Sequence, residues 1–267
     1  VEAFGGDLAM SLSATILIPT HDHGPILRAS VSSALRQTVT NLEVMVIGDG
    51  VPDETRAIMA EIMRQDPRVQ FFDHPKGRRH GENYRHEALR EARGKIVCYL
   101  SDDDLYLPRH VEEMGRLLEE ADFAHAVALK IGPDGGAPFI WTVDLAMDAY
   151  RRELLAGRNR VPLSAGAHTL ECYRGLVEGW SPAPTGIPTD LHMWQKFLRQ
   201  PTVRFRAGTM PTVLVFSSPS RAHLTPEERL REMDDWLGRT ASSGAVEAIA
   251  LQVLPQALRQ AAEAEGR

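Results

Sequence analysis

The stretch Lys95–Pro108, KIVCYLSDDDLYLP, decides how this chain is interpreted, because an apolar run ends abruptly in three acids. Ile96–Leu100 is β-branched and apolar, as a buried strand would be. The adjacent carboxylates of Asp102, Asp103 and Asp104 repel one another unless a cation or solvent surrounds them. Open α/β sheets bind ligands outside the carboxyl ends of their strands, so a divalent metal held by oxygen ligands is one interpretation. A solvated turn in which one Asp caps a helix is the other.

The composition is that of an ordinary globular protein. Of the 267 residues, 43% are hydrophobic and 25% are charged, which fits one large domain or two small ones. The net charge of -6 provides no broad basic surface for nucleic acid. Cys98 and Cys172 are far apart and predict reduced thiols rather than a disulfide.

The sequence also bears on localisation. No apolar run approaches the roughly 20 residues that cross a bilayer. The N-terminus has no basic region followed by an apolar core. We therefore expect a cytoplasmic protein without a transmembrane segment, and only peripheral membrane contact is compatible with this expectation.

Strand and helix patterns alternate through the first half of the chain, and this order predicts a mainly parallel sheet flanked by helices. The predicted strands are Thr15–Ile18, Glu43–Ile47, Val69–Phe72, Ile96–Leu100 and Phe123–Leu129, and the predicted helices are Pro25–Gln37, Glu54–Gln65, Glu82–Ala92 and Pro108–Glu120. Polar residues follow three of the strands, at Thr20–Asp22, Asp49 and Asp102–Asp104. We expect these residues to meet at one edge of the sheet.

The second half is less regular. Val161–Thr185 mixes Gly, Pro, Ser and aromatic residues, which suits a variable substrate-facing surface better than a second independent core. The remaining patterns predict helices at Val143–Gly157, Asp190–Arg199, Thr225–Leu237 (ending at Gly238) and Val246–Glu263, and strands near Val203–Arg206 and Val213–Phe216.

The segment Ala14–Thr55 resembles the opening of the family 2 glycosyltransferases, which are nucleotide-sugar enzymes of the GT-A fold. In that family the first strand ends in Pro-Thr-Tyr-Asn, a helix ends in Gln-Thr, and the second strand runs into Asp-Asp-Gly-Ser. The matches here are Pro19-Thr20, Gln37-Thr38 and Asp49-Gly50, with His21-Asp22 in place of Tyr-Asn and Gly48 in place of the first Asp. The resemblance continues through Lys95–Pro108 and faintly through Gly179–Phe197.

This resemblance implies a GT-A-like α/β fold, a mainly parallel sheet flanked by helices. One continuous domain would comprise a Rossmann-like nucleotide-sugar-binding subdomain, residues 1–130, and an acceptor-binding subdomain with the C-terminal helices, residues 131–267. The resemblance further implies a UDP-sugar donor, or another nucleotide sugar.

The donor-binding residues are implied in the same way. Pro19, Thr20 and His21 would border the nucleoside. Asp49 would accept a hydrogen bond from the N–H of the base, which suits an acceptor-only group; a turn residue is the alternative. Family members often place an Arg in a flexible loop near the diphosphate, and Arg79 or Arg78 occupies that place. A solvated loop is the alternative there.

Alignment through Tyr106-Leu107-Pro108 assigns the acids. Asp102 would face the ribose or a metal-bound water, Asp103 would bind the metal directly, and Asp104 would orient its neighbours or a turn. Oxygen ligands select Mg²⁺ or Mn²⁺ over zinc. Ser101 replaces the first Asp of many members. His223 stands where some relatives place a late metal-binding His, and an exposed His is the alternative.

The catalytic base is the last role. In the family it is an Asp or Glu that opens a helix after a Gly-rich aromatic stretch, and Asp190 holds that place. A helix cap is its structural alternative. Trp180 would pack against the acceptor sugar, or else lie in the core.

The resemblance thus predicts an inverting, metal-dependent transfer of a sugar to a hydroxyl of a glycan, a lipid-linked oligosaccharide or a surface polysaccharide. A nucleotidyltransferase is one alternative, but THDHGPIL lacks the Gly-rich basic loop that it needs after the first strand. A noncatalytic nucleotide-sugar-binding module is another, kept open by Gly48, His21 and Ser101.

Overall fold

A single mixed sheet organises the computed structural model, which describes residues 12–135, 139–140 and 143–265. Its strands are β1 (Leu12–Thr20), β2 (Leu42–Asp49), β3 (Val69–His74), β4 (Gly94–Tyr99), β5 (Leu105–Tyr106), β6 (Phe123–Ile131), β7 (Phe139–Ile140), β8 (Gly166–Thr169) and β9 (Phe205–Phe216). The helices are α1 (Leu27–Leu35), α2 (Asp53–Gln65), α3 (Glu82–Glu91), α4 (His110–Leu118), α5 (Asp148–Leu155), α6 (Leu170–Arg174), α7 (Thr189–Leu198), α8 (Pro226–Arg239) and α9 (Ser243–Glu265).

The strand order is β3-β2-β1-β4-β8-β6-β9-β5, with β7 paired to β6. Strands β3, β2, β1 and β4 are parallel neighbours joined by helical crossovers. Every residue of β2 is buried, as expected for a strand covered on both faces. The predicted mainly parallel sheet flanked by helices is confirmed.

Strand β8 comes from the segment that was predicted to form a variable surface. It lies between β4 and β6 and runs antiparallel to both. Gly166 admits this placement because a Cβ there would lie 2.5 Å from the Trp194 ring. The irregular segment therefore contributes a central strand, and the main core cluster contains residues from both halves of the chain, such as Ile16 and Trp194.

Strand β9 corrects the prediction of two strands near Val203–Arg206 and Val213–Phe216. It is one strand, parallel to β6, with register shifts opposite His125–Ala128. Pro211 lies within this irregular part. Proline has no N–H to donate to a neighbouring strand, so a proline in the sequence predicts the end of a strand. Here the strand continues past Pro211 across a bulge.

Several predicted helices differ in extent from the observed ones, and α5 and α8 are two examples. Helix α5 occupies only Asp148–Leu155 of the predicted Val143–Gly157. Helix α8 continues past Gly238 to Arg239, because Trp236 is buried beneath it and the Arg239 guanidinium lies 3.8 Å from the indole centroid.

In the described ranges, no helix combines the length and apolar composition needed to cross a membrane. Both cysteines are free, with Cys98 buried and Cys172 half-buried.

Candidate active site

The carboxyl ends of three neighbouring strands form the candidate site. Strand β1 ends at Thr20, β2 ends at Asp49, and the acidic turn follows β4. Because β2, β1 and β4 are adjacent and parallel, these ends lie at the same edge of the sheet. Their meeting there agrees with the expectation from the sequence.

A histidine joins two of the acids at this edge. His23 Nδ1 lies 2.9 Å from Asp102 Oδ1. His23, Asp102 and Asp103 each offer one ligand atom, and these atoms all lie within 4.8 Å of one another. We call these three residues the His-Asp-Asp cluster. His23 was not among the predicted site residues, although the tripeptide His21-Asp22-His23 directly after a strand was a usable signal.

Electrostatics in this cluster follow from burial and proximity. The hydrogen bond with Asp102 raises the pKa of His23 to about 9. Burial, and then the neighbouring Asp102 carboxylate, raises the pKa of Asp103. Two carboxylates held together away from solvent are costly unless cations compensate them, so the cluster is suited to bind a positive charge.

Asp104 points away from the cluster into the protein. Its Oδ1 accepts a hydrogen bond from the Phe216 backbone N–H at 2.9 Å, and its Oδ2 accepts one from the Ser164 hydroxyl. The Ser30 hydroxyl donates to the carbonyl oxygens of both Asp102 and Asp104. Asp104 therefore links the acidic turn to β9 and to the segment before β8.

We expect Asp104→Ala to lower the free energy of unfolding by about 2–4 kcal/mol, since two buried donors lose their acceptor. Burial raises the pKa of Asp104 well above its ordinary range. Asp104→Asn keeps an oxygen that accepts from the Phe216 N–H and adds an NH₂ group that the Ser164 hydroxyl can accept after rotating, so it should cost less than about 1 kcal/mol. Urea denaturation of both variants checks this, and equal losses would contradict the assigned contacts.

Asp49 is 5% exposed and is held by the loop that follows β3. Lys76 Nζ lies 2.5 Å from Asp49 Oδ2, and the Gly77 N–H donates to Oδ1 at 2.6 Å. His21 Nδ1–H donates to the Asp49 carbonyl oxygen at 2.6 Å. The carboxylate keeps free lone pairs, so a nucleobase N–H could still be accepted there.

The same loop carries Arg78 and Arg79, the two arginines predicted to reach the diphosphate. Both side chains are exposed. Arg79 has a φ of 57°, which is uncommon for a residue other than glycine. Its carbonyl oxygen accepts a hydrogen bond from Lys76 Nζ at 2.9 Å. Neither arginine contacts the His-Asp-Asp cluster among the hydrogen bonds of the described residues, and their role stays a prediction.

Helix α3 buries two charged residues, Glu82 and Arg85, and Arg85 interacts electrostatically with both Asp49 and the predicted base. Arg85 is 5% exposed and Glu82 is fully buried. Burial lowers the pKa of Arg85, and the carboxylates of Glu82 and Asp190 oppose that shift. The Thr189 hydroxyl donates to Glu82 Oε1 at 3.0 Å. This pair was not predicted, although charged residues at positions 82 and 85 share a helix face with the buried Leu89 and could have been noticed.

Asp190 lies in the first turn of α7, whose N-cap is Pro188. Its Oδ1 accepts hydrogen bonds from Asn159 Nδ2 at 2.9 Å and from the Leu191 N–H at 2.8 Å. Asp190 is half-buried, and burial of its carboxyl raises the pKa of that group. A carboxylate with a raised pKa is a stronger base than an ordinary Asp.

The surroundings of two further residues do not match the functional roles that the sequence suggested for them. Trp180 is 2% exposed and its Nε1–H donates to the Tyr99 hydroxyl at 2.9 Å, so it is a core residue and not an acceptor platform. His223 is exposed, and the imidazole near the acids is that of His23.

Orphaned polar atoms concentrate at this edge. Five buried side-chain atoms in the described part of the chain have no hydrogen-bond partner, and three of them are Thr20 Oγ1, Arg85 Nε and Arg229 Nε. Natural structures leave few such atoms without a reason, and an absent ligand is one reason.

Solved GT-A glycosyltransferases share this architecture. Residues 1–349 of TarS from S. aureus in complex with UDP-GlcNAc match with a TM-score of 0.62 at 14% identity, covering 91% of this chain and 72% of that one. The mannosyltransferase PcManGT from Pyrobaculum calidifontis, in complex with GDP-Man and Mn²⁺, matches with a TM-score of 0.52 at 18% identity, covering 94% and 81%. The GT-A-like fold is confirmed.

The family follows from the sequence match. The model of glycosyl transferase family 2 matches residues 15–170, more than half of the chain, and the chain belongs to that family of glycosyltransferases. An uncharacterized glycosyltransferase of Rickettsia felis is 25% identical over 205 residues, 72% of this chain and 32% of the relative. The chondroitin synthase of Escherichia coli is 36% identical over 99 residues, 37% and 14%. The chain spans about a third of the length of the first of these relatives.

Proposed function

We propose that this protein is an inverting, metal-dependent glycosyltransferase that moves a sugar from a UDP donor to a hydroxyl of a glycan or lipid-linked glycan. The observation that carries the proposal is that the His-Asp-Asp cluster and Asp49 lie at one edge of the sheet, while Thr189, which directly precedes the half-buried base candidate Asp190, donates a hydrogen bond to Glu82 of α3. Residues 1–130 would bind the nucleotide sugar, and residues 131–267 would bind the acceptor.

The cluster fits a divalent cation. Its ligand atoms lie within 4.8 Å of one another, and carboxylates favour Mg²⁺ or Mn²⁺. The His23 imidazole can join the carboxylates as a ligand only after it loses its proton, and such a nitrogen ligand would favour Mn²⁺ over Mg²⁺. When bound, such an ion supplies a positive charge that stabilises the departing nucleoside diphosphate, an effect of several kcal/mol. The Mn²⁺ that accompanies GDP-Man in the PcManGT complex supports this assignment.

The proposal of a UDP donor rests on the polar groups around Asp49. The carboxylate accepts an N–H, while Lys76 Nζ, 2.5 Å away, can donate to a carbonyl. Uracil presents an N–H flanked by carbonyls. Pro19, Thr20 and His21 border the same strand end, and Arg79 or Arg78 would reach the diphosphate from its loop. Asp102 would face the ribose or a metal-bound water, and the UDP-GlcNAc of the TarS complex supports a UDP-sugar.

The reaction needs one proton acceptor from the chain. Asp190 would take the proton from the acceptor hydroxyl as the oxygen attacks the anomeric carbon from the face opposite the diphosphate. Asn159 and the Leu191 N–H hold the carboxylate through Oδ1, which leaves Oδ2 for the proton. A single displacement of this kind inverts the anomeric configuration.

Ligand binding tests the donor assignment. UDP with Mn²⁺, at about 100 times its dissociation constant, should stabilise the fold by roughly 2.7 kcal/mol, and UDP with chelator by much less. Thermal unfolding measures the difference. An equal shift in the melting temperature with and without metal would refute the metal assignment.

Slow transfer to water identifies the donor sugar without knowledge of the acceptor. A panel of nucleotide sugars assayed for metal-dependent hydrolysis should show one preferred substrate. A protein that binds UDP and metal yet hydrolyses none of the panel and transfers to no acceptor would be a noncatalytic module instead.

A further inference from the structure

Arg229 donates a hydrogen bond to Asp103, the carboxylate that we assign to the metal. Its Nη2 lies 3.1 Å from Asp103 Oδ2 and donates to Ser218 Oγ at 2.7 Å. The Ser218 hydroxyl in turn donates to the same Oδ2 at 2.5 Å. The Arg229 side chain is 12% exposed, and its Nε has no hydrogen-bond partner within the described residues. The guanidinium is therefore enclosed at the site but only partly satisfied.

The backbone that carries Arg229 is well anchored. Helix α8 begins with a capping box, in which Thr225 and Glu228 exchange side-chain and backbone hydrogen bonds. It packs against α1 and the short 3₁₀ turn Gly24–Ile26, which directly follows His23. A change in the contacts of Arg229 would thus need a new side-chain rotamer and no movement of the helix.

Arg229 and a divalent ion compete for one carboxylate, that of Asp103. Both are cations, and like charges a few ångströms apart repel each other strongly in a partly buried site. An ion that binds through Oδ2 must also displace the two hydrogen bonds that Arg229 and Ser218 direct at that oxygen. An ion that binds Asp103 therefore releases the guanidinium, which then requires another anion because its surroundings are largely closed to water.

We propose that Arg229 is a donor-binding residue that alternates between two anions: Asp103 in the absence of the ion, and a phosphate oxygen of the nucleoside diphosphate once the ion has bound. This inference rests on the proposed function. The planar fork of a guanidinium matches phosphate oxygens, and the diphosphate is the anion that the donor brings to this edge. Arg229 thereby lowers the affinity for the ion in the absence of nucleotide and raises the affinity for the nucleotide once the ion has bound.

Opposite effects of one substitution test the inference. In Arg229→Gln, Mn²⁺ should bind about 10-fold more tightly without nucleotide, because a competing cation is gone, as measured by electron paramagnetic resonance of free Mn²⁺. With saturating Mn²⁺, UDP should bind about 10- to 100-fold more weakly by calorimetry, the effect of losing charge-assisted hydrogen bonds. Arg229→Lys, which keeps the charge without the fork, should fall between wild type and Arg229→Gln for UDP.

Arg231→Gln is the matched control, because Arg231 is an exposed arginine of the same helix, α8, and carries the same charge. Its Nε donates to the Glu227 carbonyl oxygen of that helix and not to the acids. Both affinities should match wild type in that variant. Weaker Mn²⁺ binding in Arg229→Gln, or unchanged UDP binding in that variant, would overturn the inference while the proposed function stands. A folded wild-type protein that binds neither Mn²⁺ nor UDP would overturn the proposed function and the inference with it.

Discussion

Asp103→Asn is expected to abolish metal-dependent sugar transfer, with a loss of at least about 10³-fold, while the protein stays folded. The carboxylate supplies one of the two negative charges of the His-Asp-Asp cluster. An amide of the same shape removes that charge, and the several kcal/mol that the ion contributes to leaving-group stabilisation is lost with it. The transfer rate under saturating donor measures the effect, and paramagnetic resonance should show that Mn²⁺ binding is lost in parallel.

Asp104→Asn is the matched control, because it makes the same chemical change one residue away. The Asp104 carboxyl faces Phe216 and Ser164 rather than the cluster. Transfer should therefore stay within about 10-fold of wild type, in keeping with a residue whose effect on the site is only indirect. If both variants lose activity equally, the metal ligand has been assigned one residue out of register.

The strand ends could be predicted because their signal is local. Ile96–Leu100 has the pattern of a buried strand, and an acidic turn directly after it has few positions in an α/β sheet other than the carboxyl edge. The same reasoning places Thr20 and Asp49, since each stands two residues after the end of its predicted strand and is the last residue of the observed one. Periodicity and turn chemistry thus locate half of the site without any long-range information.

The other half depends on contacts that no local pattern encodes. Arg229 meets Asp103 across 126 positions of sequence, and Thr189 meets Glu82 across 107. Whether a charged residue of an amphipathic helix points to solvent or to a site depends on the docking of that helix. Strand β8 was missed for a related reason, because four residues that include Gly166 are too few for a period-2 pattern.

Hydrogen bonds of Glu82 connect the two halves of the site. This carboxylate accepts from the His80 N–H at 3.1 Å on the side of the Asp49 loop, and from Thr189 on the side of α7. Thr189 directly precedes Asp190. A shift of the donor loop would therefore change a hydrogen bond of the residue next to the proposed base. Buried carboxylates whose hydrogen bonds are satisfied in this way keep the surrounding geometry rigid.

Asp190→Asn should lower the transfer rate by about 10²- to 10⁴-fold and leave UDP binding nearly unchanged. The amide keeps the size of the side chain, and its oxygen can still accept from Asn159 and the Leu191 N–H, but it cannot take a proton. Asp148→Asn is the matched control, because Asp148 is also an acid in the first turn of a helix, α5, and its carboxylate pairs with Arg151 of that same helix. That control should transfer sugar at the wild-type rate.

The pH dependence distinguishes a base from a structural residue. Burial raises the pKa of Asp190, so its carboxylate is protonated, and inactive as a base, up to a pH above the ordinary Asp range near 4. The ratio of the wild-type rate to the Asp190→Asn rate should be constant at high pH and fall as the pH drops through that raised pKa, since other titrating groups cancel in the ratio. A ratio that stays near one, or one that does not change with pH while both proteins remain folded, would remove Asp190 from the mechanism.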